Sequence, residues 1–475
     1  MPLKGHSLFS NSFFIFIIRF FPSLANLVVV IWYSRHLSLE AYGNYQHFWI
    51  QLYVIYPLAC FGIHVLIITY SRGLIINLMR RIGRQYYVMY GLWVAGLSAV
   101  FAWLQWGALN ISFVVPFLFL ASFSFAMILE SLLIVFRNYT SLTIISILYS
   151  VGFAVIHWYV LAHGFSLELL FVYLLILTVC RLGVYLGIAL FNVKQHTVGE
   201  GDEVIAINTI RNLWLHLGVY DVIQILFNWI DKFIISLVLT AQLSAIYVNG
   251  SRNIPILPLL LSAAGSAVLI QLAGGKREDE AADMIRLMNQ TGKILSAIIF
   301  PVFFFLLFFR QELIVTFLTD KYLLAVPIFM VSILVLPLRA YSFTTVLQKM
   351  HKGAIINTGA VADLLFACGL MYPLYKWLGL PGVALSFVIS TYFQSAYYLY
   401  YAAKSLNSSP LKLIPYANWL VKLIVYATMF IVIHYVCTEY FTVKISLILG
   451  MAMMVVITII SFLFELNKGK RDVSI

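Results

Sequence analysis

The chain has 475 residues, of which 63% are hydrophobic and 10% charged, with a net charge of +12; its mean hydropathy is +0.96. Soluble domains carry roughly 45–50% apolar and about 25% charged residues, so a soluble protein is excluded. At ~20 apolar residues per helical crossing, spans and short loops use up the length and leave no room for a catalytic domain outside the membrane.

Apolar runs between polar breaks predict about fourteen transmembrane helices, near 11–33, 45–70, 86–107, 112–136, 141–162, 167–191, 212–239, 243–273, 293–317, 324–348, 354–376, 380–402, 416–436 and 444–464. Long β-alternation is absent, so the class is an all-α polytopic membrane protein. Residues 1–25 weakly resemble a signal peptide, but Arg19 interrupts the run and the apolar stretch continues to Tyr33, which reads as an uncleaved first span. Cys60, Cys180, Cys368 and Cys437 lie singly in apolar stretches, without metal spacing.

Of the 30 Lys and Arg residues, nineteen fall on the side shared by the N-terminus and the even-to-odd loops. Five (Arg35, Arg310, Lys321, Lys376, Lys444) fall on the other. This bias predicts cytoplasmic termini and accounts for the positive charge without nucleic acid. The longest cytoplasmic segments are 71–85, 192–211 and 274–292, and the middle one, with Gly199 to Glu203, divides six spans from eight. The expected parts are an N-terminal lobe at 1–192, an inter-lobe loop at 193–211, a C-terminal lobe at 212–403, and two further helices with a tail at 404–475.

Leu37-Ser38-Leu39-Glu40-Ala41-Tyr42-Gly43-Asn44-Tyr45 aligns with Leu239-Thr240-Ala241-Gln242-Leu243-Ser244-Ala245-Ile246-Tyr247 at an offset of 202 residues. The same offset lays Asn26 on Asn228, Arg19 opposite Asp221, and the basic loop Arg72–Arg84 over Gly274–Arg286. Six intervening spans make this a parallel repeat: two six-helix lobes that rock about a central cavity.

Polar residues inside spans cost ~2.5–3.5 kcal/mol each on insertion scales and normally face protein or a hydrated cavity. Asp221, Gln224, Asn228 and Asp231 share one helical face, with Lys232 beside it; Ser12, Arg19, Ser23 and Asn26 share another. Asn44, His47 and Gln51 form a shorter stripe. Such stripes either line a cavity or glue helices by hydrogen bonds. Six cations (Arg19, Arg181, Lys232, Arg252, Arg339, Lys422) lie within spans, against the acids Glu130, Asp221, Asp231 and Asp363. Surplus arginine suits an anionic ligand, since a guanidinium holds phosphate bidentately. Arg181 and Lys422 either serve that cavity or pair locally, and His47 and His64 read as core histidines. Arg19, Asn26, Asn228, Lys232, Arg252 and Arg339 are the candidate substrate contacts, and Asp221 and Asp231 the candidate ion-coupling groups. No P-loop, H-E-x-x-H, G-x-S-x-G or DxD signature is present, so an ATP-driven pump or a glycosyltransferase is disfavoured and no cofactor or metal is expected.

Ser34-Arg35-His36-Leu37-Ser38-Leu39-Glu40-Ala41-Tyr42-Gly43-Asn44-Tyr45 resembles the element that follows span one in polysaccharide and O-antigen flippases of the multidrug/oligosaccharidyl-lipid/polysaccharide (MOP) superfamily. Ile230-Asp231-Lys232-Phe233 and Ala245-Ile246-Tyr247 resemble their second-half element, with Ala245 in place of the usual glycine. The resemblance implies two lobes around a cationic cavity, in which Arg19 matches a first-span cavity arginine and Asp231–Lys232 an acidic–basic pair. It implies a non-enzymatic transporter in the cell membrane that flips a polyprenyl-diphosphate-linked oligosaccharide, coupled to a proton or sodium ion, with a glycan polymerase as a neighbour. A cation-coupled multidrug antiporter is the alternative, disfavoured by the surplus of basic residues; an embedded glycan polymerase or acyltransferase is a third, disfavoured by short outer loops.

Overall fold

The computed structural model describes residues 5–109, 111–195, 207–252, 280–350 and 352–473. These residues are helical almost throughout and contain no strand, and they group into two compact units, Met1–Ser244 and Ala245–Ile475. Nine of the described helices are long and apolar enough to cross a membrane, or ten if one bent pair counts as a span. The chain is thus a multi-pass membrane protein.

The first unit opens with α1 (Gly5–His36), α2 (Leu39–Cys60), α3 (Ile63–Thr69) and α4 (Arg72–Arg81). It continues with α5 (Arg84–Leu109), α6 (Val114–Val135), α7 (Tyr139–Ala162), α8 (Leu167–Gln195) and α9 (Ile207–Val238). α6 packs on α8, α1 on α7, and α9 on α2 and α3. Lipid is as apolar as a leucine side chain, so such helices hold together by close packing and hydrogen bonds. Ser146 accordingly donates its hydroxyl from α7 to the Ile18 carbonyl of α1 at 2.6 Å. Large apolar groups such as Leu92, Trp103 and Leu148 remain exposed, the outward faces expected of lipid-facing helices.

The second unit contains most of α10 (Ala241–Gly250), then α11 (Glu280–Phe308), α12 (Arg310–Phe317) and α13 (Ala325–Ser332), which runs into a 3-10 turn over Ile333–Ala340. α14 (Thr345–Lys349), α15 (Gly353–Leu378), α16 (Leu380–Ser405), α17 (Pro410–Leu413), α18 (Tyr416–Tyr440) and α19 (Val443–Val473) follow. α15 and α16 form a closely packed hairpin, while α18 and α19 pack on α11 around Phe300, Phe304, Phe309 and Phe430.

Three expected spans are interrupted. The 45–70 run bends by 55° between α2 and α3. The 293–317 run breaks at Phe309, and 324–348 divides into α13, the 3-10 turn and α14. Pro337 lies in that turn, where a missing amide hydrogen costs less than in a continuous α-helix. The basic 71–85 segment, expected as loop, forms helix α4. Much of the expected 243–273 span, and residues 196–206 of the inter-lobe loop, fall outside the described residues.

The repeated nonamers share a local design. Ser38 caps α2 by accepting the Ala41 amide at 3.1 Å, and Thr240 accepts the Leu243 amide ahead of α10 at 3.4 Å. A Ser/Thr hydroxyl here satisfies an amide that no helical carbonyl reaches. The terminal tyrosines Tyr45 and Tyr247 are both buried.

Candidate anion and proton site

Three of the six intramembrane cations are neutralised by a carboxylate. Arg181 of α8 pairs with Glu130 of α6, its Nε donates to the Tyr185 hydroxyl at 3.2 Å, and its guanidinium lies over the Tyr149 ring at 4.7 Å. Lys232 Nζ lies 3.1 Å from Asp231 Oδ2, also donates to the Asn228 carbonyl at 3.3 Å, and sits over Trp229. Lys422 of α18 meets Glu465 of α19 at 2.9 Å and donates to the Ser296 hydroxyl of α11 at 2.9 Å. For Arg181 and Lys422 the local-pairing reading therefore holds.

Arg19, Arg252 and Arg339 form no ion pair among the described residues. Arg19 is exposed on α1, and its carbonyl accepts the Ser23 hydroxyl at 2.9 Å. Arg252 is half-buried just beyond α10, its Nε buried without a hydrogen-bond partner among the described residues. Arg339 is exposed at the end of the 3-10 turn, within Coulombic range of the buried Asp363 of α15. A guanidinium in such surroundings keeps its charge and all its donors for a ligand.

In the first unit Asp221 of α9 faces His64 of α3, with Oδ2 and Nε2 3.6 Å apart. The charges of Arg19 and Glu130 also act on His64. The bend between α2 and α3 places the imidazole there. Phe61 and Gly62 both take left-handed backbone conformations, with φ of 38° and 69°. Gly62 lies against Gly218 of α9, so closely that an added Cβ would fall 2.5 Å from the Gly218 Cα. Trp214 of α9 donates its indole N–H to the Phe61 carbonyl at 2.7 Å.

The remaining candidates sit less freely. Asn26 is half-buried on α1. Asn228 is exposed and spends one amide hydrogen on the Gln224 carbonyl of its own helix. Asp231 and Lys232 are both buried. The His47–Gln51 stripe turns out to be helix glue: His47 and Gln51 bond to each other, and Gln105 of α5 donates to Gln51 Oε1 at 2.7 Å.

Sequence reasoning set His64 aside as a core histidine and placed no partner for Asp221 but Arg19. The available signal was Gly62, a glycine inside an apolar run five residues after Pro57, which marks a break where a polar side chain escapes the helix packing. The second unit also carries a groove of about 1000 Å³ between α18 and α19, walled by Val421, Val425, Ile460 and Phe464 and edged by Lys293 and Lys468.

Residues 113–327 match a family described as "Polysaccharide biosynthesis protein". The fold is similar to that of the lipid II flippase MurJ in an inward closed conformation, with a TM-score of 0.64 and 14% identity over 97% of this chain and 99% of that one. It is also similar to an inward-facing multidrug resistance MATE family transporter of the MOP superfamily, with a TM-score of 0.54 and 14% identity over 81% of this chain and 94% of that one. No curated protein matches the chain by sequence. The family match takes in residues 230–247 but not 34–45, and the two structures show the fold.

Proposed function

We propose that this chain, with its MOP-superfamily fold and its match to a polysaccharide-biosynthesis family, flips a polyprenyl-diphosphate-linked oligosaccharide such as an O-antigen or exopolysaccharide repeat unit. It does so across the cytoplasmic membrane by alternating access, with both termini in the cytoplasm. The observation that carries the reading is the sorting of the intramembrane cations. Among the described residues Arg181, Lys232 and Lys422 have carboxylate ion-pair partners, whereas Arg19, Arg252 and Arg339 have none. An unpaired arginine inside a membrane protein is costly unless a ligand or water offsets it, and a diphosphate offers two adjacent acceptors for its planar fork. The offset-202 repeat supports two lobes, 1–192 and 212–403, joined through 193–211, with 404–475 added after them.

In this reading Arg19, Arg252 and Arg339 hold the diphosphate, Asn26 and Asn228 line the cavity, and Lys232 contributes once Asp231 releases it. Asp221 and Asp231 serve ion coupling, and a glycan polymerase takes the product. Depletion of the protein tests the substrate class: lipid-linked repeat units should accumulate, inaccessible to an outside glycan-specific lectin until the membrane is opened. Normal surface glycan after depletion would overturn it. The MATE likeness supports a second reading, a cation-coupled multidrug antiporter; the three arginines without an ion pair among the described residues favour anions over cationic drugs.

A further inference from the structure

Two carboxylates of the described helices face a histidine: Glu312 and His434 Nε2 are in contact at 3.0 Å, whereas Asp221 Oδ2 and His64 Nε2 stand 3.6 Å apart. Glu130, Asp231 and Glu465 each touch a Lys or Arg, whose positive charge is permanent near neutral pH. Asp221 has an imidazole instead, the side chain that changes charge near neutral pH. The 3.6 Å gap is too long for a hydrogen bond. His64 Nδ1 and Asp221 Oδ2 are both buried without a hydrogen-bond partner among the described residues. Buried polar atoms are normally satisfied, so Asp221 Oδ2, buried and facing His64 Nε2 across 3.6 Å without a hydrogen bond, marks a place that is completed by something small.

We propose that His64 and Asp221 form a proton-binding site linked to anion binding at Arg19. One proton taken up by the pair converts neutral imidazole and carboxylate into an imidazolium–carboxylate pair, which draws the two side chains into a charge-assisted hydrogen bond. The groups that act on the pair are Arg19 from α1, Tyr56 and Cys60 from α2, and Glu130 from α6. Glu130 is already offset by Arg181. Without the proton, the Asp221 carboxylate offsets Arg19 and the cluster, net neutral, offers a diphosphate little attraction. With it, the imidazolium offsets Asp221, and Arg19 meets the diphosphate with its charge undiminished. Proton and anion therefore favour each other's binding, and reciprocity is required by thermodynamics. The pivot at Gly62 and Gly218 places the same pair at a helix bend, so proton uptake acts where α3 meets α9.

This inference deepens the flippase reading and relies on it for the diphosphate. The test is calorimetric titration of the full-length protein in nanodiscs with farnesyl diphosphate, in buffers of different ionisation enthalpy. Wild type should take up close to one proton more per bound diphosphate than His64→Gln or Asp221→Asn; this difference removes the probe's own protonation. As pH rises, wild-type affinity should fall by up to about tenfold per pH unit more steeply than in the variants. Should one variant not fold, the other supplies the comparison. Binding with equal proton uptake in wild type and variants would overturn the linkage and leave the flippase reading standing. Absence of any binding to folded wild type would overturn the diphosphate reading, and the linkage with it.

Discussion

Gly43 of α2 and Ala241 of α10 pack backbone against backbone: a Cβ on Gly43 would lie 2.0 Å from the Ala241 carbonyl oxygen. Both residues belong to the repeated nonamer, so the glycine of the first copy makes room for the start of the second. No rotamer change relieves a clash with a carbonyl, and the backbones must separate. Gly43→Ala is therefore expected to destabilise the protein by about 2 kcal/mol, read as a lower thermal midpoint in detergent. Gly91→Ala, with open space around its Cα, should leave the midpoint unchanged or raise it slightly.

The Glu130–Arg181 pair gives a second stability test. Removing one member of a buried pair leaves an uncompensated charge, at a cost of about 3–5 kcal/mol, whereas replacing both with apolar groups is often neutral. Glu130→Leu alone should lower the thermal midpoint strongly, and Glu130→Leu with Arg181→Met should recover most of the loss. A double variant as unstable as the sum of the singles would show that the two side chains do not act as a pair.

Orientation is open to direct labelling. Gln195→Cys should resist a membrane-impermeant maleimide applied to intact cells, and Ser166→Cys, exposed just before α8, should react. The opposite pattern would reverse the proposed topology.

The arginines without an ion pair among the described residues are predicted to govern export. Arg19→Ala and Arg252→Ala should abolish surface glycan while the protein stays abundant in the membrane, and Arg19→Lys should restore part of it, because lysine supplies charge without the bidentate fork. Asp221→Asn should weaken the response of export to the proton gradient, whereas Asp231→Asn, which frees the buried Lys232, should mainly lower stability or activity.

Much of this organisation was legible in the residues. Apolar runs locate the long helices because a span must satisfy its own backbone. Ser38 and Thr240 stand where helix caps are needed, and Asp231 next to Lys232 reads directly as a pair. The break at Phe61 had its one signal in Gly62 after Pro57, whereas that at Phe309 was not legible, because an apolar run reads the same whether the helix is straight or bent and neighbouring helices decide which. Nor were the partners of Arg181 and Asp221. Glu130 and His64 lie 51 and 157 residues away in the chain, and only tertiary packing brings them into contact. His64 looked like a core histidine, as His157 is: its ring nitrogen meets the Tyr45 hydroxyl at 3.1 Å. Composition alone does not separate a satisfied histidine from one whose second nitrogen has no partner.

The most direct test is reconstitution of the purified protein in liposomes that carry a short fluorescent polyprenyl-diphosphate oligosaccharide in both leaflets. Fluorescence of the outer leaflet alone is destroyed by dithionite. Wild-type protein should carry the protected lipid outward, so that quenching runs towards completion, whereas Arg19→Ala liposomes should stop at about half, the share set by leaflet symmetry. Quenching that stops at half with folded wild-type protein, or that proceeds equally with Arg19→Ala, would contradict the account.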